Sequence, residues 1–97
     1  MIARVASTQI HHDKVEEGTR LWQEHIIPAM RKYKGFKHIY ILGDDKTRRV
    51  MTISLWENAE DADKWAHSEE IRTFTSRLAD KVTHESHVEV FEVKLQG

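Results

Sequence analysis

The chain has no cysteine among its 97 residues. Within it, disulfides, thiolate catalysis, iron–sulfur clusters and Cys-ligated zinc are excluded. Proline occurs once and glycine four times, so the chain has few points at which to turn and its elements should be long. Charge of one sign is also missing. Fifteen Lys and Arg against sixteen Asp and Glu leave a net charge of −1. A dedicated nucleic-acid binder would show a basic excess, so no nucleic-acid partner is expected. No apolar run approaches the ~18 residues of a membrane span, and the opening MIARVASTQI is too short and polar for a secretory signal. These features predict a soluble cytoplasmic protein without a membrane partner. With 39% apolar and 32% charged residues, a single globular domain over 1–97 is expected.

Ile2–Gln9 is short, partly β-branched and alternating, and reads as a strand. Asp13 can cap the segment that follows, with Glu16 in the capping-box position. Val15, Trp22, Ile26, Ala29 and Tyr33 then recur at helical spacing, up to Gly35 as a C-terminal stop. Pro28 lies inside that helix. It leaves the Glu24 carbonyl without its donor and should bend the helix there. Phe36–Leu42 and Arg49–Trp56 read as strands, joined by a hairpin turn over Gly43–Thr47. Asn58 and Ser68 are candidate N-caps, which places a helix break near His67. Ile71, Phe74, Leu78 and Val82 form the later apolar stripe, and Val88–Leu95 is the last strand.

The resulting order, β-α-β-β-α-β, is that of an α+β, ferredoxin-like fold with a four-stranded antiparallel sheet. By alternation, Val50, Thr52, Ser54 and Trp56 share one face of the third strand, against Met51, Ile53 and Leu55. In the second strand Phe36, His38, Tyr40 and Leu42 oppose Ile39 and Ile41. In the fourth, Phe91 and Val93 oppose Val88 and Val90. Both faces are apolar and two helices cover only one, so a homodimer with facing sheets is expected.

IIPAMRKYKGF, a YIL strand and TISLWENAEDADKWAHS together resemble the antibiotic biosynthesis monooxygenase (ABM) domain, of the dimeric α+β barrel superfamily. The resemblance extends over nearly the whole chain. It implies a dimer and a cleft for a small molecule between sheet and helices. It also implies a cofactor-independent oxygenase, with no cofactor and no metal. Trp56 matches the quinone-forming members. Thr52 stands where those enzymes typically carry Asn, and Ala62 where they carry Tyr. Trp65 matches the haem-degrading branch, whose iron-binding His is here Thr75.

Among candidate site residues, His25 lies three residues after Trp22 and four before Ala29. That spacing puts it on the buried side of the first helix, as general base or as a core histidine. Trp56, Trp65, Trp22 and Phe74 can wall a flat aromatic substrate, and an indole N–H can donate to its oxygen. Thr52 and His38 add polar groups, provided their strand faces turn toward the cleft. His84 and His87 flank Glu85 but lack a third metal ligand, and His11-His12 reads as solvated loop. The expected function is monooxygenation of a small, electron-rich aromatic or quinol-like substrate. The alternatives are an isomerase or lyase acting on a small carbonyl compound, or a non-catalytic ligand-binding dimer, of which a haem-binding form is the less favoured version.

Overall fold

The computed structural model describes residues 1–83 and 86–97. Strand β1 is Ile2–Gln9, β2 is Phe36–Asp44, β3 is Arg49–Trp56 and β4 is His87–Glu92. They form one antiparallel sheet in the order β2-β3-β1-β4. Helices α1 (Val15–Leu21) and α2 (Ile27–Arg31) flank a π-turn at Trp22–Ile26, and α3 (Ala59–Ala66) and α4 (Glu69–Leu78) follow β3. The expected ferredoxin-like α+β architecture is present.

Several ends differ from the sequence reading. Asp13 caps nothing: it sits in a short 3-10 turn, His12–Lys14, and no side chain caps α1. Val15 is exposed, whereas Met30, outside the predicted stripe, is among the most buried residues. The hairpin turn starts later than expected, because Gly43 still pairs with Val50 and β2 runs to Asp44. The Asp44 carboxylate then accepts from the Lys46 amide at 2.9 Å, and Arg48 takes the left-handed conformation at φ 58. β4 stops at Glu92 rather than Leu95. Among the described residues it pairs with β1, where Ile2 faces Glu92 and the Val93 amide reaches the Met1 carbonyl. Val82 lies beyond α4 and bridges Ile10.

Both predicted caps of the second helical region are made. Asn58 accepts from the Asp61 amide at 2.9 Å and Ser68 from the Ile71 amide at 3.2 Å. Gly35 ends the first helical segment at φ 85. A β-carbon there would collide with the Asp61 carboxylate, so glycine is required by conformation and by space together.

The core is built from Ile26, Met30, Trp56, Ala62, Trp65 and Phe74, between the helices and one sheet face. Ile2, Phe36 and Ile39 pack against it from the strands. The register with β3 then places Arg4, Ala6 and Thr8 on this covered face beside Ser54, Thr52 and Val50. A bulge between Phe36 and His38 resets the alternation of β2. Phe36 consequently joins the covered face, while His38, Tyr40 and Leu42 turn to the opposite one. The sequence reading had placed Phe36 with those three. The opposite face also carries Met51, Ile53, Leu55 and Phe91, with Tyr40, Leu42 and Phe91 each about half exposed.

Candidate functional site

Trp56 and Trp65 lie toward one end of the covered face and the open space toward the other. Trp56 is fully buried, and its indole N–H donates to Ser54 Oγ at 3.0 Å. Trp65 stacks on it at 6.2 Å, and Phe36 meets it edge-on at 5.5 Å. Trp56 and Trp65 therefore act as a packed plug. Neither lines the cleft beneath α4, and the Trp56 donor is already spent.

Toward the other end of the strands, small side chains on β1 and β3 leave room beneath α4. Ala6, Thr8, Val50 and Thr52 form the floor of a cleft of about 630 Å³. Trp22, Ile71, Phe74, Thr75 and Leu78 form its roof and wall, with Trp22 and Phe74 in edge contact at 4.5 Å. Val88 of β4 also lines it; Val88 and Val90 share the covered face yet are exposed. The volume and the mixture of apolar walls with a few hydroxyls are those of a small-molecule site.

Of the residues predicted from sequence, Thr52, Trp22 and Phe74 come together here. Trp56 and Trp65 do not, because they fill the plug. His38 does not, because the bulge turns it to the other face, where it stacks on Tyr40. His25 does not either. The buried positions of the first helical segment are Gly18, Ile26 and Met30. His25, about 100° around the helix from Ile26, is exposed and lines a shallow outer groove with Glu69, Glu70 and Arg77. The π-turn ahead of Pro28 is where the helix absorbs the missing donor: the Ile27 amide reaches back five residues to the Trp22 carbonyl. Phe74 is the wall between that outer groove and the cleft.

Arg4 is the residue that sequence reasoning missed. It lines the cleft from β1, and its Nε is buried without a hydrogen-bond partner. Desolvation by burial pushes its pKa down from the ordinary arginine value. Arg4 alternates with Ile2 and Ala6, so the signal was present: a guanidinium at an inward position of a strand. Its main chain is well anchored. Ser54 Oγ donates to the Arg4 carbonyl at 3.4 Å while accepting from Trp56, which ties the backbone at Arg4 to the plug. Among the described lining residues Arg4 is the sole ionisable group. His84 and Glu85 lie outside the described residues, and His87 contacts Glu89 at 3.3 Å on β4. No three metal-binding side chains converge among the described residues.

Residues 1–77 match the family model described as antibiotic biosynthesis monooxygenase. The chain belongs to this family. Among solved structures, the fold is similar to a conserved protein from Methanosarcina mazei Go1 at 18% identity, with a TM-score of 0.83 over 96% of this chain and 92% of that one. It is also similar to the monooxygenase from the gene ActVA-Orf6 of Streptomyces coelicolor, solved with the ligand nanaomycin D. That match has 9% identity and a TM-score of 0.84 over 98% of this chain and 88% of that one. A third is SnoaB from Streptomyces nogalater, a cofactor-independent oxygenase, at 14% identity and a TM-score of 0.76 over 98% and 94%. No curated protein sequence matches the chain. Family membership and these structures agree with the antiparallel α+β fold, and among the described residues no helix is long and apolar enough to cross a membrane.

Proposed function

We propose that this chain is a cofactor-independent monooxygenase for a small hydroxylated aromatic, which reacts in the Thr52–Phe74 cleft of a homodimer. The observation that carries the reading is the cleft itself. A family member retains about 630 Å³ of mostly apolar space, roofed by Trp22 and Phe74, beside a plug that consumes the other two tryptophans.

The chemistry suits such a space. An aryloxide can pass one electron to O₂, and the resulting radical pair combines into a ring peroxide anion. Protonation and loss of water leave a quinone, so that phenol plus O₂ gives quinone plus water. The substrate supplies all the electrons. The protein's part is to hold the ring beneath Trp22 and Phe74, offer hydroxyls such as Thr52 to developing oxygen charge, and limit water.

Pairing through the open sheet face supports the same reading. Tyr40, Leu42, Ile53 and Phe91 form a continuous apolar surface that a second copy would cover. A dimer would keep the two clefts apart, each beneath its own helices. The test is oxygen uptake with a panel of hydroxynaphthalenes and hydroxyanthracenes, run aerobically and anaerobically. Oxygen consumed in step with quinone formed is the expected result. Turnover that persists without O₂ would favour a non-oxidative reaction, and no turnover with any member of the panel would overturn the proposal.

A further inference from the structure

We infer that Arg4 binds the reacting oxygen of the substrate as an oxyanion, and so replaces a general base. The inference rests on the reading of the cleft as the substrate site. Its starting point is an imbalance. The described lining offers no imidazole and no carboxylate to take a phenolic proton, while it holds one cation whose Nε is buried and unpartnered.

A guanidinium is a donor in every direction and cannot accept a proton. It can, however, make an adjacent hydroxyl acidic. Opposite charge a few ångströms away favours the ionised form, and the effect grows where water is excluded. The step is simple: the substrate O–H bond breaks, the electron pair stays on oxygen beside Arg4, and the proton passes to solvent water. The product is the aryloxide that donates an electron to O₂.

The geometry suits this role. Arg4 stands on the floor of the cleft beside Ala6, with Val90 and Ser54 as its neighbours across β4 and β1–β3 pairing. Trp22 and Phe74 close the roof. An aromatic ring held between floor and roof therefore finds, among the described lining residues, a single charge to which its oxygen can point. That charge is positive, and one guanidinium matches one oxyanion rather than a dianionic phosphate. The buried unpaired Nε is what the ligand oxygen would satisfy.

The test is a titration of a bound chromogenic nitronaphthol whose aryloxide absorbs in the visible. With the wild-type protein, the pKa of the bound hydroxyl should fall by about one to three pH units from its value in water. The fall should vanish with Arg4→Met and be partly kept with Arg4→Lys. Affinity for the aryloxide should drop about 10- to 100-fold with Arg4→Met, and affinity for the unhydroxylated ring should change little. A bound hydroxyl that titrates at its free value, a fall that survives Arg4→Met, or failure of every hydroxynaphthalene to bind would each overturn the inference. Oxygen uptake is measured separately. A pKa fall without turnover would sink the monooxygenase reading alone, and turnover without a pKa fall would sink the role of Arg4 alone.

Discussion

Replacing Arg4 with methionine should make the protein more stable. A buried donor without a partner costs about 1–3 kcal/mol, and Arg4 Nε is such a donor. The rest of the guanidinium lies on a cleft that water enters, which puts the expected gain at the low end, about 1 kcal/mol. Methionine keeps an unbranched stem of similar reach, so the packing of the arginine methylenes is largely retained. For a domain of this size, about 1 kcal/mol raises the melting temperature by roughly 4–8 °C. The assay is thermal and urea unfolding of both proteins at one concentration, with the urea m-value as a check that the two unfold alike. A lower melting temperature for Arg4→Met would refute the reasoning, because it would show that the guanidinium supports the folded chain rather than waiting for a ligand.

His25→Ala should leave oxygen uptake within about twofold, since His25 lies behind Phe74 and outside the cleft; a large loss would return it to the mechanism. Gly35→Ala should destabilise by about 2–4 kcal/mol, from the left-handed backbone together with the collision on Asp61, and a cost below about 1 kcal/mol in urea unfolding would contradict that geometry. The Tyr33 hydroxyl, 2.5 Å from Glu70, holds the Glu70 carboxyl below its ordinary pKa. A depressed carboxylate stabilises the fold above its unfolded pKa and loses that contribution as pH falls through the folded one. The stability difference between wild type and Tyr33→Phe should therefore shrink below about pH 4, and a constant difference in urea midpoints would contradict the assignment. Phe91→Glu should shift sedimentation from dimer to monomer, whereas an unchanged dimer would place the interface elsewhere.

Most of the architecture was legible from periodicity and caps. Asn58 and Ser68 announced their helices correctly because a capping side chain acts within three residues of itself. The divergences came where one local rule met a longer-range constraint. The bulge after Phe36 shifts the alternation of one strand with no glycine or proline inside it, so strict alternation groups Phe36 with His38, Tyr40 and Leu42 although it lies on the covered face. Spacing from Trp22 and Ala29 points His25 inward, whereas the centre of the buried helix face passes through Ile26 and Met30. Trp56 and Trp65 carry the family resemblance and lie together in the core, stacked on each other, with the Trp56 N–H donating to Ser54. Arg4 was overlooked. A lone arginine in a short strand is ordinary until the register shows which face it occupies.

The most direct test of the account is oxygen uptake by a variant with its cleft filled. Ala6 lies on the floor beside Thr52, so Ala6→Phe should occupy the space that the ring would take. Measured against wild type on a hydroxyarene that supports turnover, and with a cooperative melt to show that the variant is folded, the rate should fall at least 100-fold. A folded Ala6→Phe protein that consumes oxygen at the wild-type rate would show that the reaction takes place somewhere else.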